Sequence, residues 1–194
     1  MSKKSKKESI PELVNSSKTT KVKDTTQYIS GNVNIKLQQG RTTIKKVNIH
    51  NTATLDLLYG MLLSLSNKID TNKLPRFLGV GTGTIQGENP EQIVANMTSL
   101  VDEVTITRTL LTSNYKGPPT KDTVNCVVSV VYQGIIPFSD LGVSKNIKEI
   151  GLFGTQNGNS LLARVQLDDT PISISQGQSL IIEWTFKIQN YLGD

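Results

Sequence analysis

The clearest signal in the chain is a period of two. Leu180, Ile182, Trp184, Phe186 and Ile188 alternate with Ile181, Glu183, Thr185, Lys187 and Gln189. Neighbours on a strand point to opposite faces, so this segment predicts a strand with one face in the core. Ile29, Val33, Ile35 and Leu37 alternate in the same way with Ser30, Asn32, Asn34 and Lys36. A Gln39-Gly40 turn then leads to a second predicted strand over residues 43–49. Residues 123–133 form a long β-branched run in which Val124, Cys126, Val128, Val130 and Tyr132 share one face. Residues 77–80 make a short apolar strand that enters a glycine run. Residues 147–153 and 161–167 flank Gln156-Asn157-Gly158-Asn159, and Asn-Gly between apolar runs predicts a hairpin. Val104, Ile106, Arg108 and Leu110 also alternate with threonines, which reads as β.

A period near 3.6 occurs clearly once. Leu55, Leu58, Leu62, Leu65 and Ile69 recur at steps of three and four, and Leu57 and Met61 widen the stripe. This predicts an amphipathic helix over about residues 52–69 with that stripe against the core. Thr52 or Thr54 is placed to cap it, and Asp56 suits its first-turn dipole. Pro90, followed by Ile93, Val94 and Met97, suggests a short second helix. Lys116-Gly117-Pro118-Pro119 reads as a loop. Seven or eight strands with one good helix do not alternate as a parallel α/β fold requires. The expected class is therefore mainly β: an antiparallel β-sandwich with one amphipathic helix and an extended N-terminal arm.

Charge then divides the chain. The net charge is +5, yet residues 1–23 hold seven lysines against two glutamates, which is the whole surplus. The remainder carries equal numbers of acidic and basic side chains. Residues 1–26 are mostly Lys, Ser, Thr and Asn and hold too few aliphatics to offset their ordering entropy. They read as a basic arm, and residues 27–194 as a single domain. Within the arm Ile10, Leu13 and Val14 form an apolar docking patch among Lys3, Lys4, Lys6 and Lys7. The arm has no Arg and no aromatic side chain, so it lacks the stacking groups of a single-strand binder. Protein docking is favoured over nucleic acid, which remains possible through the lysines. No apolar run reaches a membrane span, and no apolar stretch follows the lysines as in a secretory signal.

The chain offers little for catalysis. One Cys and one His exclude a disulfide, a four-Cys zinc site and most histidine relays. The glycines at 79, 81 and 83 do not continue into a dinucleotide fingerprint, and no Gly-Lys-Ser/Thr occurs. Their expected role is close backbone packing. Cys126 is expected to be a buried mid-strand hydrophobe rather than a nucleophile paired with His50. Asp102-Glu103 and Asp168-Asp169 read as solvated loop carboxylates. The sequons at Asn15 and Asn96 carry little weight without a signal peptide. Arg108 and Arg164 each fall in a strand and are candidate interface anchors. No cofactor or metal is expected, and no enzyme activity.

Three blocks in order carry a resemblance. The first is Leu57-Leu58-Tyr59-Gly60 followed by Phe77-Leu78-Gly79-Val80-Gly81-Thr82-Gly83. The second is Leu100-Val101-Asp102-Glu103-Val104 leading to Arg108. The third is Ile147-Lys148-Glu149-Ile150-Gly151-Leu152-Phe153, a polar turn, then Leu161-Leu162-Ala163-Arg164-Val165. Over about residues 50–188 this order resembles β-rich bacteriophage virion proteins of the tail-collar and tail-fibre-attachment type. The resemblance implies a non-enzymatic structural subunit, assembled in a bacterial cytoplasm and residing in the virion. Its expected partners are other virion proteins of the tail, collar, portal-proximal region or capsid, and further copies of itself. The chain stops at Asp194 without a fibre shaft or tip, so an adaptor or collar role is expected over host recognition. A capsid decoration protein is the alternative, and an arm-based nucleic-acid binder a weaker one.

Overall fold

The computed structural model describes residues 27–85, 94–111, 119–167 and 170–190. Lys3, Lys4, Lys6, Lys7, Ile10, Leu13 and Val14 lie outside the described residues, as do Asp168, Asp169 and the 116–118 loop.

The fold is the expected mainly antiparallel β-sandwich with one helix. In chain order the strands are β1 (Gln27–Gln39), β2 (Thr42–His50), β3 (Thr52–Ala53), β4 (Phe77–Gly81), β5 (Thr109–Leu110) and β6 (Thr120–Asp122). There follow β7 (Val127–Pro137), β8 (Lys145–Ile147), β9 (Glu149–Phe153), β10 (Leu161–Gln166), β11 (Ile172–Ile174) and β12 (Gln178–Asn190). One sheet has the order β2-β1-β12-β7-β6 and the other β3-β10-β9-β4-β5. β8 and β11 form a separate two-stranded ladder.

The core lies between the two large sheets. Val33 and Ile35 of β1 and Leu180, Ile182 and Trp184 of β12 face it from one side. Leu78, Val80, Ile150, Leu152 and Val165 face it from the other. Fully burying such a side chain contributes about 1.5–3 kcal/mol, so the period-two pattern dictates this face. Gly134 of β7 leaves room for Leu78, which crosses from the opposite sheet. Polar residues of β1, including Asn32 and Lys36, point away from this core.

Three local expectations need correction. The run at 123–133 begins as a turn, and β7 starts only at Val127. Asp122 accepts hydrogen bonds from the Val124 and Asn125 amides (both 3.0 Å) and from Asn125 Nδ2 (2.7 Å), which closes that turn. Cys126 is consequently exposed with φ at +52°, not buried mid-strand. The 104–110 run is mostly irregular: only Thr109 and Leu110 join a sheet, and Glu103 makes an isolated bridge to Gly81. Of the suggested second helix, residues 90–93 lie outside the described residues. From Val94 the chain makes a turn, Met97 N–H donating to Val94 O, and buries Val94 and Leu100.

The helix α1 (Leu55–Leu65) is shorter than expected and turned the other way. Thr54 caps it, accepting the Leu57 amide, while its hydroxyl reaches the carbonyls of Leu161 and Leu162 at 3.0 Å. The buried positions are Leu57 and Gly60. A β-carbon on Gly60 would lie 2.6 Å from Lys73 Cβ, so the glycine admits the Thr71–Lys73 turn against the helix. Lys73 Nζ also pairs with Asp56 at 2.6 Å. These contacts fix the helix by its Leu57–Gly60 side. Leu55, Leu62, Leu65 and Ile69, expected in the core, are exposed.

Candidate functional site

The second sheet has a glycine floor on its outer face. Gly79 of β4 stands opposite Gly151 of β9, and Gly81 opposite Glu149. Alternation sends Leu78 and Val80 into the core and leaves this outer row almost without side chains. Residues 100–108 cross over it: Thr82 N–H donates to Asp102 O, and Val104 N–H to Val80 O, each at 2.9 Å. A β-carbon on Gly79 would lie 2.6 Å from Glu103 Oε1, and one on Gly81 2.8 Å from Glu149 Cγ. The glycine run therefore serves close packing, as its sequence context implies.

Two arginine–glutamate pairs fill this layer. Glu149 is 0% and Arg164 2% exposed. Arg164 Nε donates to Glu149 Oε2 at 2.9 Å, and Nη2 approaches the same oxygen at 2.8 Å. Arg164 stands opposite Gly151 in the β9–β10 ladder, which places it diagonal to Glu149 across the strands. The carboxylate also accepts the amides of Val101 (3.1 Å) and Asp102 (2.8 Å). It thus ties the crossing segment to the sheet. Arg164 Nη1 donates to Gln166 Oε1, which in turn accepts the Ile85 amide.

The second pair is more open. Arg108 meets Glu103 bidentately, Nε to Oε1 at 2.9 Å and Nη2 to Oε2 at 2.8 Å. Its Nη1 donates to the carbonyls of Thr155 (3.2 Å) and Gly158 (2.8 Å), pinning the β9–β10 loop. The guanidinium lies 3.5 Å from the Phe153 ring centroid, a stacked cation–π contact. An open polar hollow of about 120 Å³ lies above it, lined by Glu103, Thr105, Arg108 and Asn157 among others.

Both arginines are therefore corrected. Each was expected on a sheet surface as an interface anchor; each instead turns inward and spends its donors within the chain. Glu103, expected to be solvated, is half-buried against Arg108. Asp102 is exposed as expected. The pairs were missed because their members lie 5 and 15 residues apart in sequence and meet only through the crossing of residues 100–108. The available signal was the glycine run, since an empty sheet face must be filled by something.

The remaining candidates do not converge. His50 is exposed at the end of β2. Cys126 precedes β7, with β1 and β12 lying between those strands. Among the described residues, no three His, Cys, Asp or Glu side chains are grouped to hold a metal ion. An apolar cleft of about 220 Å³ opens between α1 and the first sheet, with Leu57, Met61, Tyr132 and Phe186 in its wall. In comparison with known proteins, the chain matches no family model, no curated protein and no solved structure.

Proposed function

We propose that this chain is a non-enzymatic structural subunit of a bacteriophage virion, an adaptor or collar component of the tail region. The observation that carries the reading joins the motif order to the geometry. The blocks at 77–83, 100–108, 147–153 and 161–165 are separate in sequence but form one unit. In it two buried ion pairs bolt a crossing segment onto a glycine floor. Such a unit favours rigidity, which suits a subunit that transmits position rather than turning over substrate. In this reading the sandwich is the rigid body, and residues 1–26 lace onto neighbouring virion proteins. Ile10, Leu13 and Val14 supply the apolar contact and the lysines pair with acidic surface.

Immuno-electron microscopy of the phage particles that carry this chain tests the location. Labelling confined to the tail or collar supports the reading. Uniform labelling of heads favours a decoration protein, and absence from purified particles refutes a virion role. Full-length protein with Ile10, Leu13 and Val14 each replaced by Asp should keep its β circular dichroism and fail to incorporate. Normal incorporation of that variant would overturn the role of the arm.

A further inference from the structure

We infer that the outward face of α1 is a self-association surface whose occupant is the same face of a second copy of this chain. Leu55, Leu58, Leu62 and Leu65 recur at steps of three, four and three. That is the a/d seam of a helix pair, narrower than the stripe of a core helix. The helix is held from its other side by Leu57, Gly60 and the Asp56–Lys73 pair. The seam is left open: Leu55, Tyr59, Leu62 and Leu65, with Ile69 just beyond the helix, are 56–82% exposed.

Two features select a second copy over a foreign partner. First, the face is uncharged. The positions flanking the seam are Tyr59, Met61 and Ser66, and the acidic side chain on the helix, Asp56, is already paired to Lys73. A surface with no charge to match complements itself, and like faces meet without repulsion. Second, the area is right. More than half of five large apolar side chains amounts to several hundred Å², the scale that marks an interaction site. It also falls somewhat short of the roughly 800 Å² that each partner gives to a standard interface. A reversible dimer of about micromolar affinity is the expected result. The inference does not depend on the arm or on a virion location.

The test uses the full chain. Sedimentation equilibrium should show monomer passing to dimer as concentration rises to about 100 µM. Leu62→Glu and Leu65→Glu, both at exposed positions, should each weaken the dimer by at least about 100-fold. Circular dichroism and the thermal transition at low concentration should not move. In a Cys126→Ser background, Leu62→Cys should form a dimer with a short bismaleimide linker. A chain that stays monomeric overturns the inference. So does a dimer that survives both glutamates, because it must use another surface. If both glutamate variants unfold, the bismaleimide result decides alone, and no cross-linked dimer overturns the inference.

Discussion

Removing Arg164 should cost more stability than removing Arg164 together with its partner. Both side chains are essentially dry, so the attraction between them is little screened by solvent. Arg164→Met leaves a buried carboxylate with only the Val101 and Asp102 amides for company. Breaking a buried pair from one side costs about 3–5 kcal/mol. In a domain of this size that lowers Tm by roughly 6–20 °C. The Glu149→Met/Arg164→Met double variant removes both charges. It leaves two amides without their acceptor, at about 1 kcal/mol each, because Val101 and Asp102 are exposed enough for water to reach them. The double variant should therefore lose about 2 kcal/mol and be more stable than the single one. Urea unfolding followed by fluorescence gives both numbers, because Trp184 is the only tryptophan and is fully buried. The m-values should match the parent if only stability changes. Additive losses, with the double variant the weaker, would refute the reasoning. So would a single-variant cost below about 1 kcal/mol.

Three further outcomes follow from the same geometry. Gly81→Ala forces a methyl against the Glu149 side chain and should cost at least about 1–3 kcal/mol by urea unfolding, whereas Gly142→Ala, where a β-carbon meets only Ile106 Cδ1 at 3.4 Å, should act through its positive φ alone. Arg108→Lys keeps the charge but loses the fork that holds Glu103 and the two loop carbonyls. Hydrogen exchange at residues 155–158 should speed up while the β1 and β12 amides stay protected. Asn125, through its side chain first and its amide second, holds the Asp122 carboxyl below 3.8. The turn it closes is then fully stabilised above the unfolded value and loosens as pH falls through the lower folded one. The Val124 and Asn125 amide resonances should titrate with a midpoint below 3.8, and Asp122→Asn should abolish that step.

The sheets were legible where one force decides. β12 and β1 alternate strictly, and burial of one face leaves no second register. The Asn157-Gly158 hairpin was legible because left-handed backbone favours glycine, and Gly158 has φ at +80°. The helix was legible as an element but not in orientation. Periodicity marks an apolar side without saying what it meets. Leu57 and Gly60 won the interior through one close approach to the Thr71–Lys73 turn, a tertiary fact absent from any local window. At Cys126 the β-branched neighbours Thr123 and Val124 concealed a turn that Asp122 and Asn125 close with side-chain hydrogen bonds. The two ion pairs were illegible for a similar reason: their charges sit within patterns that locally read as strand or loop.

The pairing of β1 with β12 sets the order in which the sandwich is built. Gln27 lies beside Asn190, so the centre of the first sheet joins residues separated by almost the whole described chain. During synthesis β1 can find β2 at once, through the short turn at residues 40–41. Its other edge waits until the last strand has left the ribosome. Until then the apolar row Val33, Ile35 and Leu37 has no opposite sheet and no neighbour on that side. Closure over so long a loop is slow, on the order of milliseconds to seconds for comparable β topologies. The newly made chain is consequently most open to mispairing just before it is finished, and a truncation that removes β12 leaves the first sheet without its middle strand.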